Sequence, residues 1–229
     1  MVQDPSFTKD LFRFLVDLRK NNNREWFQAN KPRYEQHVQE PALEFVSDFA
    51  PLLDEISPHF RADPRPVGGS LFRIYRDVRF SKDKSPYKTV VGIRFRHELG
   101  KDAHAPVFYL HLEPGGSFAG AGIWHPDSAT LGMIRAAIAA HPEDWLSATQ
   151  DPPFAAVLEL GGDSLKRAPA GTDPDHPLIE DLKRKDFVCY AMLDEKTVTG
   201  NGFLDEYARI CRSATPFVEF LCRAVGAPV

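Results

Sequence analysis

Apolar residues recur at helical spacing through the first quarter of the chain. Phe7, Leu11, Phe12, Phe14, Leu15 and Leu18 fall on one stripe, with Ser6 or Thr8 placed to cap its start. Asn21, Asn22 and Asn23 interrupt the stripe and read as a turn with a cap on either side, because asparagine tolerates the backbone of a helix end. From Arg24 to about Ser57 a second stripe runs through Tyr34, Val38, Phe45, Phe49, Leu52, Leu53 and Ile56, with Pro41 expected to kink or split it. A Pro/Gly loop, DPRPVGGS, follows. From Leu71 the period changes to two. Phe72, Ile74, Val78 and Phe80 alternate with Arg73, Tyr75, Asp77 and Arg79, which predicts a strand, and SKDKSP reads as a hairpin loop. Val91, Ile93 and Phe95 alternate with Gly92, Arg94 and Arg96, and Phe108, Leu110 and Leu112 alternate with Tyr109, His111 and Glu113. The small-residue segment GGSFAGAGIW completes an expected four-stranded antiparallel meander, polar on one face and apolar on the other.

The second half alternates between element types. Pro126 and Asp127 open a helix carrying Leu131, Ile134 and Ile138, and HPEDWL and DPPFAAVLEL read as short Pro-started helices. SLKRAP is strand-like, HPLIEDLKRK helical, and FVCYAML strand-like by its β-branched and aromatic content. The segment from Gly202 to Val225 closes the chain as a helix with a possible kink at Pro216. With no repeat, low-complexity tract or linker, the expectation is one α+β domain over residues 1–229, its helices packed on the apolar face of the sheet.

Composition narrows the classes. A hydrophobic fraction of 43% supports a sizeable core. Cys189, Cys211 and Cys222 form no CxxC pair and no metal spacing, so free thiols and a cytoplasmic location are expected. The N-terminus lacks the apolar run of a signal peptide, and no stretch is long and apolar enough for a membrane span. The chain holds 28 basic and 32 acidic side chains, a net charge of −4, which argues against a surface coated for bulk nucleic-acid binding. Yet residues 73–88 hold six basic side chains and two acids, leaving 22 against 30 elsewhere.

That concentration is the candidate chemistry. Alternation puts Arg73, Tyr75, Asp77 and Arg79 on one face of the first strand, with His111 and Glu113 on the corresponding face nearby and Lys88, Arg94 and Arg96 available to join them. Arginine suits a planar or phosphate anion because its fork donates two parallel hydrogen bonds, and Tyr75 and Tyr87 could stack on a ring. The glycines and alanines of residues 119–122 leave space above the sheet, and the helix after Pro126 could aim free N–H groups at it. The bland alternative is a ladder of ion pairs, Arg73, Asp77 and Arg79, on a solvated sheet. Arg76 breaks the alternation and reads as a bulge, a helix cap or an edge residue. Lys82 and Lys84 read as mobile loop charges, subordinate to Arg73 and Arg79 as ligand contacts, and Lys166 and Arg167 as further candidates. Trp26 reads as core before it reads as a wall of a site. His111 and Glu113 could form an acid–base pair with Asp77 as partner. HExxH, GxSxG, GxGxxG and Walker motifs are all missing, so no metal and no cofactor is expected.

NNNREWF, RIYRDVRFSKDKSPYKT, GGSFAGAGIWHPD and LKRAPAGTDPDHPLIEDLKRKDF together resemble one family of bacterial and fungal proteins, domain of unknown function 2461. The resemblance spans nearly the whole chain and implies no activity that can be carried over. Function is therefore read from the residues. The first expectation is a small anionic or phosphorylated ligand held over the polar sheet face by Arg73, Tyr75, Asp77, Arg79, Lys88, Arg94, His111 and Glu113, with or without chemistry on it. The alternatives are a nucleic-acid module using residues 73–96 as a basic stripe, and a scaffold that docks a partner on its charged face. No membrane partner is expected.

Overall fold

The structure is a computed structural model that describes residues 5–100 and 104–229. The first four residues, part of the signal-peptide reading, lie outside them. Helix α1 (Lys9–Lys20) buries Leu11, Phe12, Phe14, Leu15 and Leu18, the stripe its spacing predicts. The three asparagines then do three different jobs. Asn21 Nδ2 donates to the Asp17 carbonyl at 2.9 Å and closes α1, while Asn23 Oδ1 accepts from Trp26 N at 2.9 Å and starts α2 (Arg24–Ala29). The side chain of Asn22 reaches into another part of the chain.

The second stripe is one face but not one helix. It divides into α2, α3 (Lys31–Tyr34), a π-helical turn (Glu35–Gln39) and α4 (Glu40–Ile56). Pro41 sits in the first turn of α4, where a missing N–H costs nothing, and the widened turn lies just before it.

Six strands form one open antiparallel sheet. In chain order they are β1 (Phe60–Arg61), β2 (Val91–His97), β3 (Val107–Leu112), β4 (Ser117–Ile123), β5 (Glu159–Gly161) and β6 (Phe187–Leu193), and in space they run β1-β2-β3-β4-β6-β5. The fold is thus α+β, with helices on one face. Register places Ile93 opposite Leu110 and Arg94 opposite Tyr109, so the period of two becomes two distinct surfaces. Val91, Ile93, Phe95, Phe108, Leu110, Leu112, Ala119 and Ala121 are buried on the inner face. Gly122, at φ 119°, lets β4 run against β6 so closely that a Cβ there would sit 2.1 Å from the Phe187 carbonyl.

After β4 come α5 (Ser128–Ala140), α6 (Pro142–Gln150), α7 (Pro152–Ala155), α8 (Ile179–Leu182), α9 (Glu195–Val198) and α10 (Phe203–Ala224). Helix α10 runs on through Pro216 and packs against β4, α4 and α6. Its Tyr207 meets Phe49 of α4 at 4.9 Å between ring centroids, and Phe49 meets Phe95 of β2 at 4.8 Å, joining helix layer to sheet. All three cysteines are free and buried. Among the described residues, no helix is long and apolar enough to cross a membrane.

Three expected elements are corrected. Residues 71–80 are not a strand, and only two isolated bridge pairs occur there, Leu71 with Ile93 and Tyr75 with Tyr87. SLKRAP likewise keeps a single bridge, Ser164 with Arg184. HPLIEDLKRK forms only the single short turn of α8, before which His176 Nδ1 accepts from Leu178 N at 3.0 Å.

Candidate functional site

Just ahead of β2 lies a cleft of about 330 Å³ lined by Arg19, Asn22, Arg76, Asp83, Ser85, Tyr87, Lys88, Thr89 and Val90. Asn22 builds its wall. Its Nδ2 donates to the Tyr87 carbonyl at 3.0 Å and its Oδ1 accepts from Tyr87 N at 3.1 Å, so one amide side chain substitutes for a paired strand. Tyr87 is buried and stacks on Phe27 at 4.1 Å, which fixes the backbone that presents Lys88. Arg76 pairs with Asp83, whose carboxyl is held well below its ordinary range by bonds first from Ser85 and then from Arg76.

Next to the cleft, Phe72 lies across the polar face of the sheet. It reaches β2 over Gly92, where a Cβ would come within 2.9 Å of the Phe72 ring and 2.8 Å of Tyr109 Oη. Two cations flank this ring. Lys88 Nζ lies 5.2 Å and the Arg94 guanidinium 5.0 Å from its centroid. Lys88 donates to the Arg73 carbonyl at 3.0 Å, and among the described residues neither Lys88 nor Arg94 has a carboxylate partner. Arg94 Nε is buried with no hydrogen-bond partner. Burial pushes the Lys88 ammonium below its ordinary pKa, and the charge of Arg73 pushes the same way. Burial, then Arg96, does the same to Arg94, with Tyr109 opposing. Each of the two thus meets another cation, Arg73 beside Lys88 and Arg96 beside Arg94, and neither has a counter-charge.

A hydrogen-bonded line leads away from this point. Tyr109 Oη lies 3.2 Å from His111 Nδ1, His111 Nε2 lies 3.1 Å from Glu113 Oε2, and Arg19 Nη2 donates to Glu113 Oε1 at 2.8 Å. A carboxylate only accepts, so Nε2 carries the imidazole proton and Nδ1 accepts from the tyrosine hydroxyl. Burial raises the Tyr109 pKa while Arg94 lowers it, so the hydroxyl keeps its proton at neutral pH. The line can pass a proton between the sheet face and the cleft edge.

The sequence model of the conserved hypothetical protein family DUF2461 matches residues 10–220. The chain belongs to the DUF2461 family. No curated protein and no solved structure matches it.

In this DUF2461 protein the expected site residues divide into two groups. Lys88, Arg94, His111 and Glu113 come together with the Arg73 backbone, as described. Tyr75, Asp77 and Arg79 do not join them. Tyr75 packs at 5.6 Å on Tyr87 and is 49% exposed. Arg79 folds back on Asp77 two residues away, Nη2 to Oδ2 at 2.7 Å, in an exposed loop. Asp77 is therefore no partner of His111, and its carboxyl is lowered by Arg79 instead. Lys84 donates to the Val78 carbonyl at 2.9 Å. The N-terminus of α5 is closed by its own cap, Asp127 accepting from Thr130 N at 2.8 Å. Trp26 packs on Phe14 at 5.8 Å and serves the core. Lys166 and Arg167 are exposed and make no polar contact with these residues.

Sequence reasoning missed Arg19, Asn22 and Phe72 as site residues. Arg19 and Asn22 act over separations of 94 and 65 positions, for which no local pattern exists. Alternation groups Phe72 with Ile74, Val78 and Phe80 on the apolar face, whereas in the fold it lies on the polar side against Gly92. A second cleft, about 440 Å³, is lined by Gly115, Met192, Leu193, Asp194 and Glu195. It carries two carboxylates and no cation, which does not suit an anion.

Proposed function

We propose that this protein binds a small anionic, phosphate-type ligand where the polar face of the sheet meets the cleft beside Lys88. One observation carries the reading: Lys88 and Arg94 are partly buried, flank one aromatic ring and have no carboxylate of their own. Desolvating cations without a counter-ion is unfavourable, and an anion bound beside them reverses the sign of that term. Arg94 offers a planar fork and Lys88 a point charge, the pair of donors that phosphate oxygens take. Tyr109 and His111 border the same place, so a proton can be supplied to a bound group. The basic-stripe alternative has less support, because Arg76 and Arg79 are occupied by Asp83 and Asp77.

The test is titration calorimetry with pyrophosphate, a ribose phosphate and a nucleotide. Lys88→Ala is expected to weaken binding by roughly 1.5–3 kcal/mol, the range for hydrogen bonds to charged groups. Arg79→Ala should leave it unchanged. If no phosphate compound binds the wild type, or if Arg79→Ala is the variant that loses binding, the reading fails.

A further inference from the structure

The polar face beside the two cations is paved with rings. Phe72, Tyr109, Phe118 and Tyr190 follow one another at centroid distances of 6.0, 5.8 and 6.4 Å, and His111 stacks on Phe118 at 4.7 Å with 14° between planes. They come from four separate segments of the chain, so local sequence does not explain their alignment. Three of them rest where a side chain would otherwise stand. Tyr109 Oη and Phe72 lie over Gly92, and the Tyr190 ring lies so close to Gly161 that a Cβ there would be 2.6 Å away. Neighbouring ring planes are inclined by 37°, 57° and 72°, so the row is a series of tilted rings, with one face of Phe118 taken by His111. Between Tyr109 and Tyr190, its partners on the two neighbouring strands, the floor is Gly120, where a Cβ would lie 3.0 Å from the Cys189 carbonyl and 3.6 Å from the Phe118 ring. The helices α4 and α10 pack on the other face.

Resting on the anion reading above, we infer that the ligand carries a planar aromatic ring as well as a phosphate, that is, that it belongs to the nucleotide class. The phosphate lies at Lys88 and Arg94, and the base lies on the row formed by Tyr109, Phe118 and Tyr190. The aromatic faces attract any base through stacking, and the cations sit at one end only, which matches a molecule charged at one end and flat at the other. A purely inorganic or sugar-phosphate ligand would leave the row without a use.

The experiment compares AMP with ribose 5-phosphate and pyrophosphate by calorimetry on the full chain. AMP and ribose 5-phosphate share phosphate and sugar and differ in the base. AMP is expected to bind about tenfold more tightly, in line with a single stacked base. Phe118→Leu keeps apolar volume and should abolish most of that advantage while ribose 5-phosphate binds as before, with a thermal melt to confirm that the variant is folded. Equal affinity for AMP and ribose 5-phosphate, or an AMP advantage untouched by Phe118→Leu, overturns the ring subsite and leaves the anion reading standing. Binding of none of the three compounds overturns both.

Discussion

Residues 71–80 and 91–97 carry nearly the same alternation of apolar side chains with arginine, and only the second is a strand. β2 has β3 along one side in continuous register, with Ile93 opposite Leu110 and Phe95 opposite Phe108. The earlier segment bonds to β2 only from Ser70 to Phe72, around the Leu71–Ile93 bridge, and then leaves the sheet. Its aspartates compete for the backbone. Asp77 Oδ1 accepts from Arg79 N at 3.2 Å and Asp83 Oδ1 from Ser85 N at 2.9 Å, local turns that replace ladder bonds. Alternation therefore specifies which side chains would share a face if a partner strand existed. The partner is a separate condition. The difference also shapes the proposed site: the regular strand holds Arg94, and Phe72, its N–H bonded to the Gly92 carbonyl at 2.9 Å, lies against it before the chain turns irregular.

The largest effect that tests this comparison is on stability. Phe95 and Phe80 occupy equivalent places in the two patterns, yet Phe95 is 0% exposed and Phe80 is 96% exposed. Phe95→Ala should cost about 3–5 kcal/mol, the range for emptying a phenylalanine site in a core. Phe80→Ala should stay within about 0.5 kcal/mol, as for surface substitutions. Urea melts of both variants provide the measurement. Similar losses would mean that Phe80 is packed as Phe95 is and that the two regions do not differ at these places.

The sequence disclosed those features that depend on near neighbours. The stripe of α1, the strands β2, β3, β4 and β6, and the Asn23 cap follow from spacing, which is why the α+β fold with a polar sheet face was legible. His111 and Glu113 were legible as a pair because residues two apart on a strand share a side. What failed was non-local. Nothing near Asn22 announces that its amide will bind the backbone of Tyr87, and nothing near Glu113 announces Arg19. The basic stretch was visible, but which of its members already had acids was not. Arg79, the favoured ligand contact by alternation, is satisfied by Asp77, and Lys88, the less favoured residue, is left without a carboxylate.

A smaller effect concerns the join between the irregular segment and the helices. Asn22→Ala removes both hydrogen bonds to Tyr87 and leaves a buried backbone N–H and carbonyl unpaired. The expected loss is about 1–3 kcal/mol. Hydrogen exchange should show it as local, with the Tyr87 amide exchanging much faster while the Ile93 amide, inside the sheet, changes only with global stability. Unchanged protection at Tyr87 would show that residues 71–90 are held by something other than this amide, and the contrast between clamped loop and paired strand would need redrawing.

The smallest effect tests the charge imbalance itself. The Lys88 pKa is lowered from its ordinary 10.5, first by burial and then by Arg73. A lowered lysine means that the unfolded chain binds the proton more readily than the folded one. Lys88 thus opposes folding in full at pH values below its folded-state pKa, and this opposition fades as pH rises through that value toward 10.5. Lys88→Met keeps the apolar stem against Phe72 and removes the charge. At pH 7 it should stabilise the free protein, by under about 1 kcal/mol because the ammonium is partly solvated. Its advantage over the wild type should narrow in alkaline buffer. In saturating pyrophosphate the order should reverse, since ligand bound to the folded state raises the wild-type melting temperature and the variant has lost a donor. A variant that is less stable than the wild type at pH 7 without ligand would mean that the Lys88 bond to the Arg73 carbonyl and its contact with Phe72 outweigh the cost of its burial, and the charge imbalance would no longer set the irregular segment apart from β2.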